Sequence, residues 1–343
     1  MKTRGAANLI IFSLLGLGLV GVKTELTTHY ALPALPYLKY LSYYTDDPLK
    51  YGYNLTHRGS SNMGPPMMTD LPTIANLYNE ISLPMLYMPG GPMRENRSPP
   101  SRGTWYHCGC QSNTSEPGVC FVPGWQDAFL EQAAALVPFI LNGTIFGIFF
   151  GDEISCSCAV PFAVFEEATS FFRGALSANL GLGHEHDVFY ATNECFSTFA
   201  CGVPPNCGNL CPNCFNKMAP GYWPSIPSAL DYVSMDAYVG DGVVEPNFIR
   251  QFYISYVYPK LSPDQNVWVV PGLAGPLTDE TTPAIPPYQN DTLFLEKMQG
   301  YATWTLEDDR VQGWLPWLPL FILYIYLFIP APSLPSYFSC SCR

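Results

Sequence analysis

Charge is scarce in this chain. Only 13% of its 343 residues are charged, and 16 Lys and Arg face 28 Asp and Glu, a formal net charge of -12. The shortage of basic residues excludes the nucleic-acid and anionic-membrane binders, whose affinity comes from Lys and Arg neutralising phosphates. A phosphate-binding glycine loop is missing as well: none opens any of the helical segments described below, which disfavours the nucleotide-binding open sheets. Long apolar runs are few. The run at 315–329 has 15 uncharged, mostly apolar residues, Pro316 and Pro319 among them. That is short of the roughly 20 residues a spanning helix needs, so a membrane anchor is the less favoured reading of this segment. A glycolipid-anchor signal fits poorly too, because Pro-rich, Cys-containing sequence follows the run.

Cysteine, proline and aromatic residues are plentiful instead. Lys2 and Arg4 precede an uncharged apolar segment at 9–22, the arrangement of a secretory signal, so residues 1–23 are expected to be removed. All twelve cysteines come after that segment: Cys108, Cys110, Cys120, Cys156, Cys158, Cys195, Cys201, Cys207, Cys211, Cys214, Cys340 and Cys342. An even count in an exported chain implies disulfides of unspecified connectivity. N-x-S/T sequons at Asn54, Asn113, Asn142 and Asn290 fit the same route; Asn96 has one followed by Pro99. Cys207-x3-Cys211-x2-Cys214 has thiols close enough for zinc, but an oxidising compartment favours their pairing. His184-Glu185-His186-Asp187 reads as a solvated turn before a strand, since imidazoles two apart suit opposite strand faces better than a shared metal. No metal or cofactor is expected.

Helical and strand-like segments alternate along the chain. Thr69 or Asp70 caps a helix with Pro72 in its first turn and Ile74, Leu77, Tyr78 and Ile81 on one side, leading to an apolar segment at 83–88. A Pro-, Gly- and Cys-rich excursion at 89–123 is too long for a connector and reads as a disulfide-tied loop over one face. A helix at 125–141, with Phe129, Ala133, Leu136, Val137 and Ile140 inward, feeds a strand at 145–150. Then come helix 162–180, strand 188–192, a cysteine-rich loop at 195–214, strand 232–235, helix 247–258, strand 267–270, helix 292–306 and strand 310–314. With a weak first strand at 37–44, seven strands are visible; the eighth is expected between Tyr51 and Met63. Repeated αβ steps predict an α/β fold, a closed (β/α)8 barrel over 24–317 with disulfide-rich loop insertions and an irregular tail at 318–343.

A parallel barrel offers its chemistry at the C-terminal ends of its strands. The run FFGDEIS at 149–155 ends a buried strand in Asp152 and Glu153, and YVSMDAY at 232–238 ends another in Asp236 with Tyr238 beyond it. Asn193 and Glu194 close the strand between them. Asp152 as a helix cap, and Asp236 as a loop-capping carboxylate, are the competing structural readings. Trp314 and Trp317 at the last strand suit either a platform for a sugar ring or core packing.

GIFFGDE at 147–153, YVSMDAY at 232–238 and DDRVQGWLPW at 308–317 resemble the fourth, sixth and eighth strand ends of the TIM-barrel glycoside hydrolase superfamily. The resemblance implies that Glu153, at the fourth-strand position, is the proton donor. Asp152-Glu153 is also similar to the Gly-Asp-Glu of N-acetylhexosaminidases, where the aspartate orients the substrate acetamide; the histidine preceding that motif is absent here. Many retaining members carry a nucleophilic glutamate on the seventh strand, where this chain reads VWVVPGLAG at 267–275. Two expectations follow. One is a secreted glycosidase acting on a neutral or aminosugar polysaccharide, with Glu153 as general acid, Asp152 or Asp236 as the second carboxylate, Glu194 in reserve, and Tyr238, Trp314, Trp317 and Asn193 toward the sugar. The other is a non-catalytic barrel that binds glycans or an extracellular protein.

Overall fold

The computed structural model describes residues 39–41, 63, 70–89, 105–111, 117–152, 154–157, 160–184, 186–200, 222–236, 245–271 and 291–314. The expected signal at 1–23 and tail at 318–343 fall outside them. Among the described residues seven parallel strands form one sheet: β1 (Tyr40–Leu41), β2 (Met85–Tyr87), β5 (Ile145–Asp152), β6 (Phe189–Cys195), β7 (Tyr232–Asp236), β8 (Asn266–Val269) and β9 (Val311–Trp314). Their spatial order is β1-β9-β8-β7-β6-β5-β2. All seven coincide with segments expected from the sequence.

From β2 to β9 each sheet strand lies beside its chain successor, and the first strand lies beside the last, Tyr40 opposite Gly313. An open doubly wound sheet would reverse direction part-way across. A sequential order that returns to its start is that of a (β/α)8 barrel. One strand position remains between β1 and β2, where the sequence places the eighth strand. Of that stretch the described residue is Met63, which is fully buried in the inner core.

The helices form as their capping and periodicity dictate. In α1 (Leu71–Ile81) the Asp70 carboxylate accepts from the Thr73 amide at 2.9 Å and from the Thr73 hydroxyl at 2.6 Å, satisfying one of the open N–H groups of the first turn. In α2 (Trp125–Leu141) Phe129, Ala133, Leu136 and Ile140 are buried at spacings of three and four. Fully burying one such phenylalanine contributes about 2–3 kcal/mol. The short α3 (Ile154–Ser157) follows β5, and α4 (Phe162–Leu180) packs against α2 through Phe129 and Phe172, whose rings meet edge to face at 4.9 Å. The short α5 (Phe196–Ala200) follows β6. The expected helix 247–258 is α6 (Pro246–Phe252) running on into a π turn (Tyr253–Val257) and a 3-10 turn (Tyr258–Lys260). The last helix, α7 (Asp291–Glu307), leads to β9.

The excursion 89–123 is not loop throughout. It contains an antiparallel hairpin of β3 (Tyr106–Gln111) and β4 (Pro117–Phe121). Trp105, at its base, is buried against Phe129 and Phe165. Dense Gly and Cys hid the strand pattern there.

Strand alternation divides the apolar residues into two cores. Val188 and Tyr190 of the β6 region face the helices, whereas Phe189 and Ala191 face inward with Leu86, Met88, Phe149, Tyr232, Trp268 and Val270. Two glycines admit the large inner rings: a Cβ on Gly147 would strike Phe189 and Leu86, and one on Gly313 would strike Trp268.

Candidate functional site

The described part of the site lies at the C-terminal ends of β5, β6 and β7. Asn193 continues the inward face of β6 from Ala191, and Ser234 continues that of β7 from Tyr232. Simple alternation from the inward Phe149 would aim Asp152 at the helices. A register shift between Phe149 and Asp152 intervenes, so that Asp152 stands opposite Asn193. Gly151 takes φ 143° at the bulge, a region that glycine enters without strain. One extra residue exchanges the two faces of a strand, and the carboxylate thereby joins the inner side.

Three polar side chains meet there. The Asn193 amide donates to Asp152 Oδ1 at 2.7 Å, and the Ser234 hydroxyl donates to Asn193 Oδ1 at 2.7 Å. Asn193 and Ser234 are buried and Asp152 is half-buried. Both ends of the Asn193 carboxamide are engaged, which fixes its flip and holds the carboxylate in one orientation. Ser234 escaped the sequence analysis. Its signal was a small hydroxyl in an otherwise apolar strand, two residues before Asp236. Asp236 ends β7 opposite Cys195, one alternation step beyond Ser234. Glu153, Tyr238 and Trp317 lie outside the described residues, as does the side chain of Asp236.

Two expected ligand contacts are corrected. Trp314 does not stand at the barrel mouth: it is fully buried on the outer side, where its Nε1 donates to Thr305 Oγ1 of α7 at 2.7 Å. A register shift between β8 and β9 gives the inward position to Gly313. Glu194 is also fully buried on the helix side of β6. Its carboxylate accepts from the Ser155 amide at 3.0 Å and lies 3.5 Å from the Thr198 hydroxyl, tying the starts of α3 and α5 to the strand. A sugar cannot reach either residue.

The outer layer props β7 in the same manner. Tyr253, fully buried in the π turn, accepts from the Met235 amide at 3.0 Å and donates to the Trp268 carbonyl at 2.9 Å. Among the described residues the β7–β8 register runs through Tyr232–Asn266 and Val233–Val267. Beyond it, the tyrosine hydroxyl bridges the two backbones.

The exposed turn before β6 that the sequence leads one to expect is present, and in it His184 Nδ1 lies 2.7 Å from Asp187 Oδ2. No group of three or more metal-ligating side chains occurs among the described residues. The Cys195 sulfur is disulfide-bonded; the zinc-like cluster 207–214 lies outside the described residues, as do the side chains of Cys108, Cys110, Cys120 and Cys156. A hollow of about 400 Å³ lies beside α1 of the outer layer, lined by Thr73, Asn76, Leu77, Asn79 and Glu80. No described helix is long and apolar enough to cross a membrane.

The fold and site define a parallel α/β barrel with a carboxylate oriented by buried amide and hydroxyl groups at its C-terminal rim. No family model and no curated protein matches the chain. Among solved structures it is similar to a GH113 beta-1,4-mannanase at 12% identity, over 81% of this chain and 87% of that one, with a TM-score of 0.42. It is similar to a GH18 chitinase from Pseudoalteromonas aurantia at 11% identity, over 84% and 99%, with a TM-score of 0.43. A Thermobacillus composti GH10 xylanase matches at 11% identity, over 84% and 87%, with a TM-score of 0.41. At such identities and TM-scores the likeness assigns no residue and no substrate, and the barrel rests on its own strand order.

Proposed function

We propose that the chain is a secreted glycoside hydrolase-like protein that cleaves glycosidic bonds by general acid catalysis from the end of β5. The observation that carries this reading is the orientation of Asp152 by Asn193 and Ser234 at the rim where a parallel barrel presents its chemistry. Cleavage needs an acid to protonate the leaving oxygen and a second carboxylate, or a substrate amide, to stabilise the oxocarbenium-like centre. Glu153 is the acid in this reading. Asp152 or Asp236 is the second carboxylate, with separations of about 5 Å for retention or about 6.5–9.5 Å for inversion. Asn193 positions Asp152, and Tyr238 and Trp317 meet the sugar. Export is supported by the N-terminal segment 9–22 and the disulfide at Cys195.

A screen of chromogenic glycosides tests the proposal with wild type, Glu153→Gln and Asp152→Asn. Turnover by wild type and a fall in kcat of about 10²–10⁴ in Glu153→Gln are expected, the range that a general acid contributes. Equal rates for the two proteins remove Glu153 from the acid role.

One observation favours a second reading, a non-catalytic barrel that binds glycan or an extracellular protein. The end of β8 has no acid: Val269 and Val270 are buried, and the run continues as PGLAG. Wild-type binding of an oligosaccharide without turnover of any glycoside is the outcome this reading expects.

A further inference from the structure

We propose that Asn142 carries an N-linked glycan on the rim of the barrel opposite the candidate site. The inference rests on the exported part of the function proposed above and adds where sugar is attached to this chain. Of the four sequons without a following proline, Asn142-Gly143-Thr144 is the one that lies among the described residues.

The local geometry suits attachment. Helix α2 stops at Leu141, and Asn142 is its exposed C-cap. Gly143 turns the chain with φ +80° and donates to the Ile140 carbonyl at 2.9 Å, and a Cβ built on it meets nothing within 4 Å. The Thr144 amide donates to Asn142 Oδ1 at 2.9 Å. The oxygen side of the carboxamide is therefore turned to the backbone. Nδ2, the atom that takes sugar, has no hydrogen-bond partner among the described residues. In the transfer, Nδ2 forms a bond to the anomeric carbon of a pyrophosphate-linked oligosaccharide. The carbon–oxygen bond to the pyrophosphate breaks, the pyrophosphate leaves with the electron pair, and Nδ2 gives up one proton.

Position in the barrel explains why a glycan is compatible with function. Asn142 precedes β5, whereas Asp152 ends it; at about 3.3 Å per residue the strand separates the two rims by roughly 23 Å. A glycan at the first rim leaves the second open. Leu141, next to Asn142 in the chain, is 53% exposed.

Burial sets the order of events. Thr144 belongs to the acceptor motif, yet it is 3% exposed, and its carbonyl accepts the Met85 amide at 2.7 Å. The motif is readable only before β5 pairs with β2, so the glycan is added ahead of folding.

The test is expression of the full chain in a eukaryotic secretory host, glycan release by an amidase in heavy-oxygen water, and peptide mass spectrometry. The expected result is heavy-oxygen aspartate at position 142, and an Asn142→Gln protein lighter than wild type by one glycan. Label at Asn54, Asn113 or Asn290 with none at Asn142 overturns the proposal and leaves export standing. Absence of label at every sequon, with residues 1–23 still attached, overturns it together with the exported reading. Since the decisive measurement is made on wild type, misfolding of the variant does not obscure it, and the glycoside screen reports separately on catalysis.

Discussion

At the scale of single residues, a hydrogen-bonded cluster around a buried carboxyl lies where α7 turns into β9. Burial alone would raise the Asp308 carboxyl. The hydrogen bonds from Arg310 and Tyr258, the Arg310 charge and the Trp304 indole outweigh it and hold the group below the usual 3.8. Arg310 Nε donates to Oδ1 at 3.0 Å, the Tyr258 hydroxyl donates to Oδ2 at 2.7 Å, and the guanidinium stacks 3.5 Å above the Tyr258 ring centroid. A depressed carboxyl stabilises the fold above its unfolded pKa, and that contribution fades as pH falls through the lower folded value. Asp308→Asn is expected to lower stability by about 2 kcal/mol at neutral pH. Urea midpoints for the two proteins should begin to draw together as pH falls below about 4, the range of the unfolded carboxyl, and meet once pH has passed the lower folded value, where the wild-type carboxylate becomes protonated. A gap that stays constant down to pH about 2 would show that the charge is not what the site uses.

At the candidate site, Asp152 and Asn193 were legible one by one as polar residues closing apolar strands. Their contact was not, because it depends on a neighbouring strand. Trp314 and Glu194 were misassigned for the same reason. Each sits next to an inward-facing position, and the sequence alone does not say which of two adjacent residues the partner strand turns inward.

At the scale of elements, helices and strands follow their sequence signals closely. Residues 125–141 and 162–180 form helices over the expected spans, since apolar spacing of three and four with terminal Gly or Pro is a local property. Irregular elements were harder to see. The π turn within the α6 segment has no composition of its own; it is accompanied by Tyr253 reaching between β7 and β8. Tyr253→Phe keeps the ring and removes the bridge, leaving the Met235 amide and the Trp268 carbonyl without it. A loss of about 2 kcal/mol is expected from denaturant melts, because an unsatisfied buried polar group costs about 1–3 kcal/mol. Hydrogen exchange should quicken at the Met235 amide, next to Asp236, while amides of the β5–β6 ladder keep their protection. Unchanged exchange at Met235 would locate the support elsewhere.

For the whole molecule, closure sets the packing problem. Seven strands around an inner core leave little room on the inward face, and the large rings of Phe189 and Trp268 are admitted where Gly147 and Gly313 lack side chains. Gly147→Ala and Gly313→Ala are each expected to destabilise the barrel by about 1–3 kcal/mol, the usual cost of overpacking a filled core. Alanine at Gly174, where a Cβ meets nothing within 4 Å, is the comparison that should be neutral or slightly stabilising. Thermal melts of the three proteins separate loss of space from loss of backbone freedom.

The sequence by itself determined the alternation of strand and helix, the parallel class of the sheet, and the strand ends that carry acids. Those follow from spacing, capping and polarity, which are properties of short stretches of chain. Tertiary structure alone decided which side of each strand those groups occupy. A strand has two faces and a period of two, so the single-residue shift at Gly151 brings Asp152 inward, and the offset between β8 and β9 buries Trp314 against α7. Such shifts are set by pairing between strands far apart in sequence, and they appear only when the sheet is assembled.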